Sequence, residues 1–408
     1  MSADALDKTK AKEPVPKGSW LAFLGIWLIT CSAPLNMFKP ATIAPELMEA
    51  LAIPATSYGW IMSVFSICGL ILAIPAAGLV RKLGLKKIFL ICSGSVILGG
   101  LIGALSTGFE MLIVSRIIEG AGMGFVAVAT PTAIALLFPE GRRALPIGLY
   151  QTWMPIGTVL SMNLGPILAN AFGWRGIWWF AIAFSVIACV VFLVTWKEPK
   201  AALADDGTEV KVVPGNLGSA FKNPLIWVLS IGMFVFAFTC TGTTSSFWSL
   251  FMRTEAGIDP QSAAFITSLC TALGILGTPL CGTISDKLGR IKPTLMIGWA
   301  VVFVFLVFAF NTYDYAILLV LGIMNGLFQG WVPTMLTTAT AQVATVDELP
   351  MSMGIFNVFR NLGNIIGGSA LAYLVTPMGW AMGSWVLCLP LVAIAVILIL
   401  VTTRKAFK

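Results

Sequence analysis

With 408 residues, 58% of them hydrophobic and 11% charged, and a mean hydropathy of +0.93, the chain has more apolar surface than a water-soluble domain needs. It reads as an all-α protein that crosses a membrane many times. The absence of histidine excludes a His-based metal site and removes the commonest side chain titrating near neutral pH. A net charge of +7 on such a chain points to positive charge held on one membrane side, not to nucleic acid.

Residues 1–18 are polar, with Lys8, Lys10, Lys12 and Lys17 and no cleavage site after a short apolar core, so they read as a cytoplasmic tail rather than a signal peptide. Six apolar spans follow, at about 19–44, 58–80, 88–107, 110–137, 144–170 and 176–196, forming a first bundle over 19–196. A polar cytoplasmic linker occupies 197–223, with Lys197, Glu198, Asp205, Asp206 and Pro214. Six more spans, at about 224–252, 261–283, 292–311, 314–338, 350–376 and 380–402, form a second bundle over 224–402, ahead of a short tail at 403–408. The eight cysteines fall in apolar segments without CxxC or metal spacing, which reads as small core residues.

Lysine and arginine cluster at alternate ends of these spans. One side carries the tail lysines, Arg81, Lys82, Lys86, Lys87, Arg142, Arg143, Lys222, Lys287, Arg290, Lys292, Arg404, Lys405 and Lys408; the other keeps Arg175 and Arg253, with Lys39 near its boundary. The positive side is expected to be cytoplasmic, with both termini there, in a cell (inner) membrane.

The two halves repeat. AGLVRKLGLKK (Ala77–Lys87) and GTISDKLGRIK (Gly282–Lys292) join corresponding spans, and setting Gly84 on Gly289 superposes the two six-span sets. Duplicated halves around a midplane site are the usual transporter plan. The second copy, with Gly282, Asp286, Lys287, Gly289 and Arg290, is similar to the signature loop of the major facilitator superfamily. In the first copy Arg81 stands where the acid is expected and Ala77 where the first glycine is. SRIIEGAGMG, with Arg116 and Gly120, and Gly165–Pro166 resemble two further motifs of that superfamily. The resemblance implies twelve helices in two pseudo-symmetric bundles. It also implies that Asp286, Lys287, Gly289 and Arg290 govern the conformational equilibrium, with the carboxylate near a helix amino terminus or a partner arginine. LNMFKPATIAPEL (Leu35–Leu47) resembles cyanate-permease-like anion carriers, and Arg360 with Gly367 resembles the basic residue of oxalate/formate-type antiporters. The second basic residue that the latter carry in the eighth span is absent here.

Within the spans the cations are Lys39, Arg116 and Arg360, and the one acid is Glu119. Arg116 and Glu119, three residues apart on one helix, are expected to pair. Lys39 and Arg360 are then left without an obvious acid, and an anionic substrate is the natural counterion. Arg360 shares a helix face with Asn357, Asn364, Gly367 and Gly368. Lys39 sits beside Asn36 in a stretch flanked by Pro34 and Pro40, which reads as a proline-broken transport helix; snorkelling to the interface is the alternative. The repeat places Arg360 opposite about Pro155, so Tyr150 and Trp153 in the fifth span are candidate walls, and the stretch NGLFQGWVPT of the tenth span offers Gln329 and Trp331. Glu119 with Arg116 is the candidate for proton coupling, or else locks its helix.

The expected substrate-binding set is therefore Arg360, Lys39, Asn36, Asn357, Asn364, Tyr150, Trp153, Gln329 and Trp331. The expected activity is secondary transport of a small anion, an organic carboxylate or cyanate-like ion, by proton symport or exchange for a counter-anion. No cofactor or metal is expected; the partners are the anion and the lipid bilayer, and the oligomeric state a monomer. A proton-coupled exporter of amphipathic drugs is the alternative, ahead of a non-transporting scaffold. No segment gathers a nucleophile, base and orienter, so an enzyme is not expected.

Overall fold

The computed structural model describes residues 14–139, 142–196, 217–345 and 348–402. Residues 1–13 of the expected first tail, 197–216 of the linker and the expected tail 403–408 lie outside them. All regular structure in the described residues is helical. The first half holds α1 (Ser19–Thr42), α2 (Ala44–Ala50), α3 (Ala55–Leu83), α4 (Leu85–Ala104), α5 (Phe109–Leu137), α6 (Ala144–Gln151), α7 (Trp153–Phe172) and α8 (Arg175–Thr195). The second half holds α9 (Leu217–Lys222), α10 (Pro224–Phe236), a π-helical stretch (Ala237–Ser245), α11 (Ser246–Thr254), α12 (Pro260–Leu288), α13 (Ile291–Phe308), α14 (Tyr315–Phe328), α15 (Trp331–Val343) and α16 (Leu349–Thr402).

Local chemistry sets these boundaries. Gly84 (φ 78°) and Gly289 (φ 65°), the two residues that the repeat equates, both take the left-handed conformation that turns one span into the next. Gly173 (φ 71°) and Gly379 (φ 75°) do the same between the last two spans of each half, so α16 is two spans meeting at Gly379. Asn223 and Asp314 cap α10 and α14 by accepting backbone N–H groups through their side chains. The fifth span is interrupted at Thr152, between α6 and α7, three residues before Pro155.

Nine helices among the described residues are long and apolar enough to cross a bilayer, and a tenth span is the pair Trp60–Leu72 and Ile74–Val80, bent by 52°. Pro75 lies at that bend. Two of the expected twelve spans, 144–170 and 350–376, fall short of this apolarity. They are also the spans whose polar and aromatic residues face the interior cavity described below, where lipid solubility is not required.

The cores show how the halves meet. One cluster combines Ile26, Ile29, Phe89, Val126 and Ile134 of the first half with Ala341, Leu349, Met353 and Ile355 of the second. It lies toward the end that carries Gly84 and Gly289. At the opposite end the halves keep separate cores, around Ile43, Leu47 and Trp178 in one and Trp248, Phe251 and Phe310 in the other. Among the described residues, a shared apolar core therefore joins the halves at that one end. All eight cysteines are free.

Candidate substrate cavity and buried charge cluster

A cavity of about 210 Å³ lies between the halves. The first half contributes Met37 of α1, Phe65 and Gly69 of α3, Met123 and Ala127 of α5, and Trp153 and Met154 of α7; the second contributes Asn357, Arg360, Asn361, Asn364 and Ile365 of α16. The spacing of these α16 residues is helical, and their face is the polar one that the sequence displays. Asn361 belongs to it although it was not among the expected residues; its position four after Asn357 was the available signal. Its Nδ2 donates to the Asn357 carbonyl at 2.8 Å.

Arg360 is the one fully charged side chain in this wall. Among the described residues no carboxylate pairs with it, since the two ion pairs found there join Lys39 and Arg116 to Glu119. Tyr150 itself does not line the cavity. It stands behind Trp153, with ring centroids 5.9 Å apart and planes within 10°, and so holds the Trp153 ring in place. Trp153 is 1% exposed, and its Nε1 has no hydrogen-bond partner; Asn364 Oδ1 is likewise buried without one. Asn357 has a different task. Its Nδ2 donates across the interface to the Ala127 carbonyl at 2.9 Å, and to its own helix at Met353.

Gly367 does not share the cavity face, contrary to the expectation. A side chain at Gly363 or Gly367 would run into the backbone of Phe234 and Phe238. These two glycines, four apart, turn toward α10 and the π-helical stretch and let the seventh and eleventh spans approach closely.

The structure overturns the expectation for Lys39. Its Nζ donates to Glu119 Oε1 at 2.5 Å and to Asn36 Oδ1 at 2.7 Å, and lies 4.9 Å from the Trp178 ring centroid. Lys39, Arg116 and Glu119 are all 0% exposed. Lys39 thus has an acid partner, does not snorkel, and is absent from the cavity wall, as is Asn36. The reason is that Glu119 has two carboxylate oxygens. Oε2 accepts from Arg116 Nη1 at 2.5 Å, leaving Oε1 for the lysine. Arg116 does not need both, because three of its other N–H groups go to carbonyls: Ile61 at 3.1 Å, Asn36 at 2.7 Å and Met37 at 3.0 Å. The Asn36 carbonyl is available because residue 40, four further on, is proline and has no N–H to offer it. Nor is α1 broken at Pro34; it runs on to Thr42.

The tenth span also departs from expectation. Gln329 turns to Asn325 and Cys270 within its own half, at 3.4 and 3.8 Å. Trp331 packs on Phe328, 4.7 Å between centroids, in the core of the second half. Neither lines the cavity. Residue type alone could not reveal this, since it does not say which way a side chain points.

At the sealed end, Asp286 accepts the Ala144 and Leu145 backbone N–H groups at 3.1 and 2.9 Å, placing its charge at the amino terminus of α6. Arg143 Nη1 donates to the Ala341 carbonyl at 3.0 Å, and Gln151 Nε2 to Thr337 Oγ1 at 3.2 Å, so these polar ties, like that of Asn357, cross between halves. Lys287 and Arg290 are exposed, and Gly289 makes the turn.

The Major Facilitator Superfamily model matches residues 26–250 and 229–407. An uncharacterized MFS-type transporter of Mycobacterium tuberculosis is 22% identical over 88% of this chain and 70% of its own length. Among solved structures, the fold is similar to that of the proton:xylose symporter XylE (TM-score 0.76, 16% identity, covering 95% of this chain and 96% of that one). It is similar also to the human organic anion transporter TETRAN (TM-score 0.75, 15% identity, 94% and 99%). One is named for a sugar and the other for anions, so the shared fold leaves the cargo to the residues of the cavity.

Proposed function

The chain belongs to the major facilitator superfamily, whose members are multi-pass membrane transporters and not enzymes, and we propose that its cargo is a small organic anion. The observation that carries this reading is Arg360, a guanidinium in the wall of the cavity between the halves with no acid paired to it among the described residues. A cation in such a setting is costly unless a negative group answers it. Guanidinium geometry matches a carboxylate through two parallel hydrogen bonds. Asn357, Asn361 and Asn364 add hydrogen-bonding groups along the same face, and Met37, Met123 and Met154 offer apolar contact to the rest of the molecule.

The ties at Asp286, Arg143 and Asn357 close one end of the cavity, and the separate cores at the other leave the halves free to part there. Positive charge on the sealed side assigns that side to the cytoplasm, so this is the outward-facing member of an alternating-access pair in a cell (inner) membrane, with both termini inside. Rocking of the halves would open the cavity inward. A drug exporter would need a membrane carboxylate in contact with cargo. The sole candidate, Glu119, is engaged by Lys39 and Arg116 away from the cavity.

Counterflow of small carboxylates into liposomes holding the purified protein tests the proposal. Wild-type protein should exchange them, and Arg360→Gln should do so about 10- to 100-fold more slowly; equal uptake by both would refute the anion reading. A requirement for internal anion identifies exchange, and stimulation by an inward proton gradient identifies symport.

A further inference from the structure

Resting on the alternating-access reading but not on the identity of the cargo, we propose that Asn357 and Pro131 together form a latch that favours the outward-facing state. Asn357 is a positioning residue in the transport cycle, and its acceptor is open to it because of a proline in the other half.

The tie joins a side chain to a backbone carbonyl that lacks its ordinary helical donor. Ala127 lies well inside α5, and the N–H that an α-helix would offer its carbonyl belongs to residue 131. That residue is a proline within the helix and has no N–H. A backbone polar group left unpaired at membrane depth is unfavourable. Asn357 Nδ2 supplies a donor from the other half, at 2.9 Å. The amide has two N–H bonds to give. The second goes to the Met353 carbonyl at 2.8 Å, which holds the side chain on its own helix and aims the first across the interface. Asn357 is 6% exposed and Ala127 8%.

Its position makes this tie a latch. Val126, next to one partner, and Met353 and Ile355, one turn or less from the other, belong to the core that the halves share. Asn357 and Ala127 themselves line the cavity. The tie therefore sits where the cavity meets the seal, and the halves cannot part at that end without breaking it. The ties further out also engage backbone groups that a helix leaves open. Asp286 accepts the first two N–H groups of α6, and Arg143 donates to Ala341 in the last turn of α15. Those are helix ends, which water can serve; Ala127 is in mid-helix, and its want of a donor comes from Pro131 alone.

The test is amide hydrogen exchange on the full chain in detergent. It compares residues 142–148 and 337–343 at the sealed end with residues 43–53 and 247–256 at the other. Asn357→Leu, close in size but without a donor, should speed exchange at the sealed end about two- to tenfold, the worth of one net hydrogen bond. It should also slow exchange at the opposite end, as the population moves to the inward-facing state. Pro131→Ala gives the carbonyl a donor of its own and should move both ends in the same senses, by less. In the Pro131→Ala background, Asn357→Leu should add little, because the two act on one acceptor. Faster exchange at both ends in Asn357→Leu means lost stability alone and overturns the latch, as do additive effects of the two substitutions. Should Asn357→Leu fail to fold, Pro131→Ala decides, and exchange unchanged at both ends overturns the proposal. Each of these outcomes leaves alternating access standing. Wild-type protein that carries no solute in counterflow overturns alternating access itself, and the tie is then only a fastener.

Discussion

Two cationic sites within the membrane spans, one in each half, have opposite fates in the fold. In the first half, Lys39 and Arg116 share Glu119, and Arg116 also donates to three carbonyls. In the second half, Arg360 faces the cavity with no carboxylate paired to it among the described residues. The first arrangement joins helices: it ties α1 to α5, and α5 to α3, as a structural fastener. The second is poised for a guest. Satisfaction within the protein separates a charge that holds the bundle together from a charge that acts on something else.

The largest effect should come from breaking the satisfied site. Glu119→Gln leaves two buried cations facing each other, and removing one partner of a buried pair costs about 3–5 kcal/mol; a drop in melting temperature and in the yield of folded protein measures it. A melting temperature like that of the wild type would mean that the cluster is solvated and not a fastener. Arg360→Gln should do the reverse. Carboxylate transport should fall about 10- to 100-fold, as expected when a charged hydrogen bond worth about 1.5–3 kcal/mol is lost, while the melting temperature holds or rises because an unpaired buried charge has gone. A large loss of stability would assign Arg360 to structure and dissolve the contrast.

Asp286→Asn keeps one acceptor at the α6 amino terminus but removes the charge and the second acceptor, a loss of about 1 kcal/mol. Faster amide hydrogen exchange at residues 142–148 and 337–343 should report looser closure there. The smallest effect is expected from Lys39→Met, since Glu119 and Arg116 remain as a one-to-one pair and the methionine fills the same space. Stability should change by about 1 kcal/mol or less, read by chemical or thermal unfolding, and carboxylate uptake should persist. Abolished uptake with normal folding would return Lys39 to the transport site.

The fold was largely legible. The apolar spans, the repeat carried by Gly84 and Gly289 and the motif around Asp286 all follow from local composition and spacing, and the glycine turns appear where the repeat equates them. Part of the site was legible for the same reason: Asn357, Arg360 and Asn364 lie on one helical face because α16 is a helix. The errors share a cause. Lys39 was left unpaired because Glu119 lies 80 residues away on another helix, and one carboxylate was counted against one cation. Gln329 and Trp331 were assigned to the cavity for their polar and aromatic character, which says nothing of the direction in which each points from its helix.

The sequence by itself determined that the chain is a bundle of membrane helices in two related halves with positive charge in excess of negative inside it. Hydropathy, turn glycines and charge counts are properties of short segments, and they survive without knowledge of what packs where. Which cation is neutralised and which remains available was decided only by tertiary structure. That depends on a few ångströms between side chains of different helices, and on a carbonyl that Pro40 leaves free for Arg116.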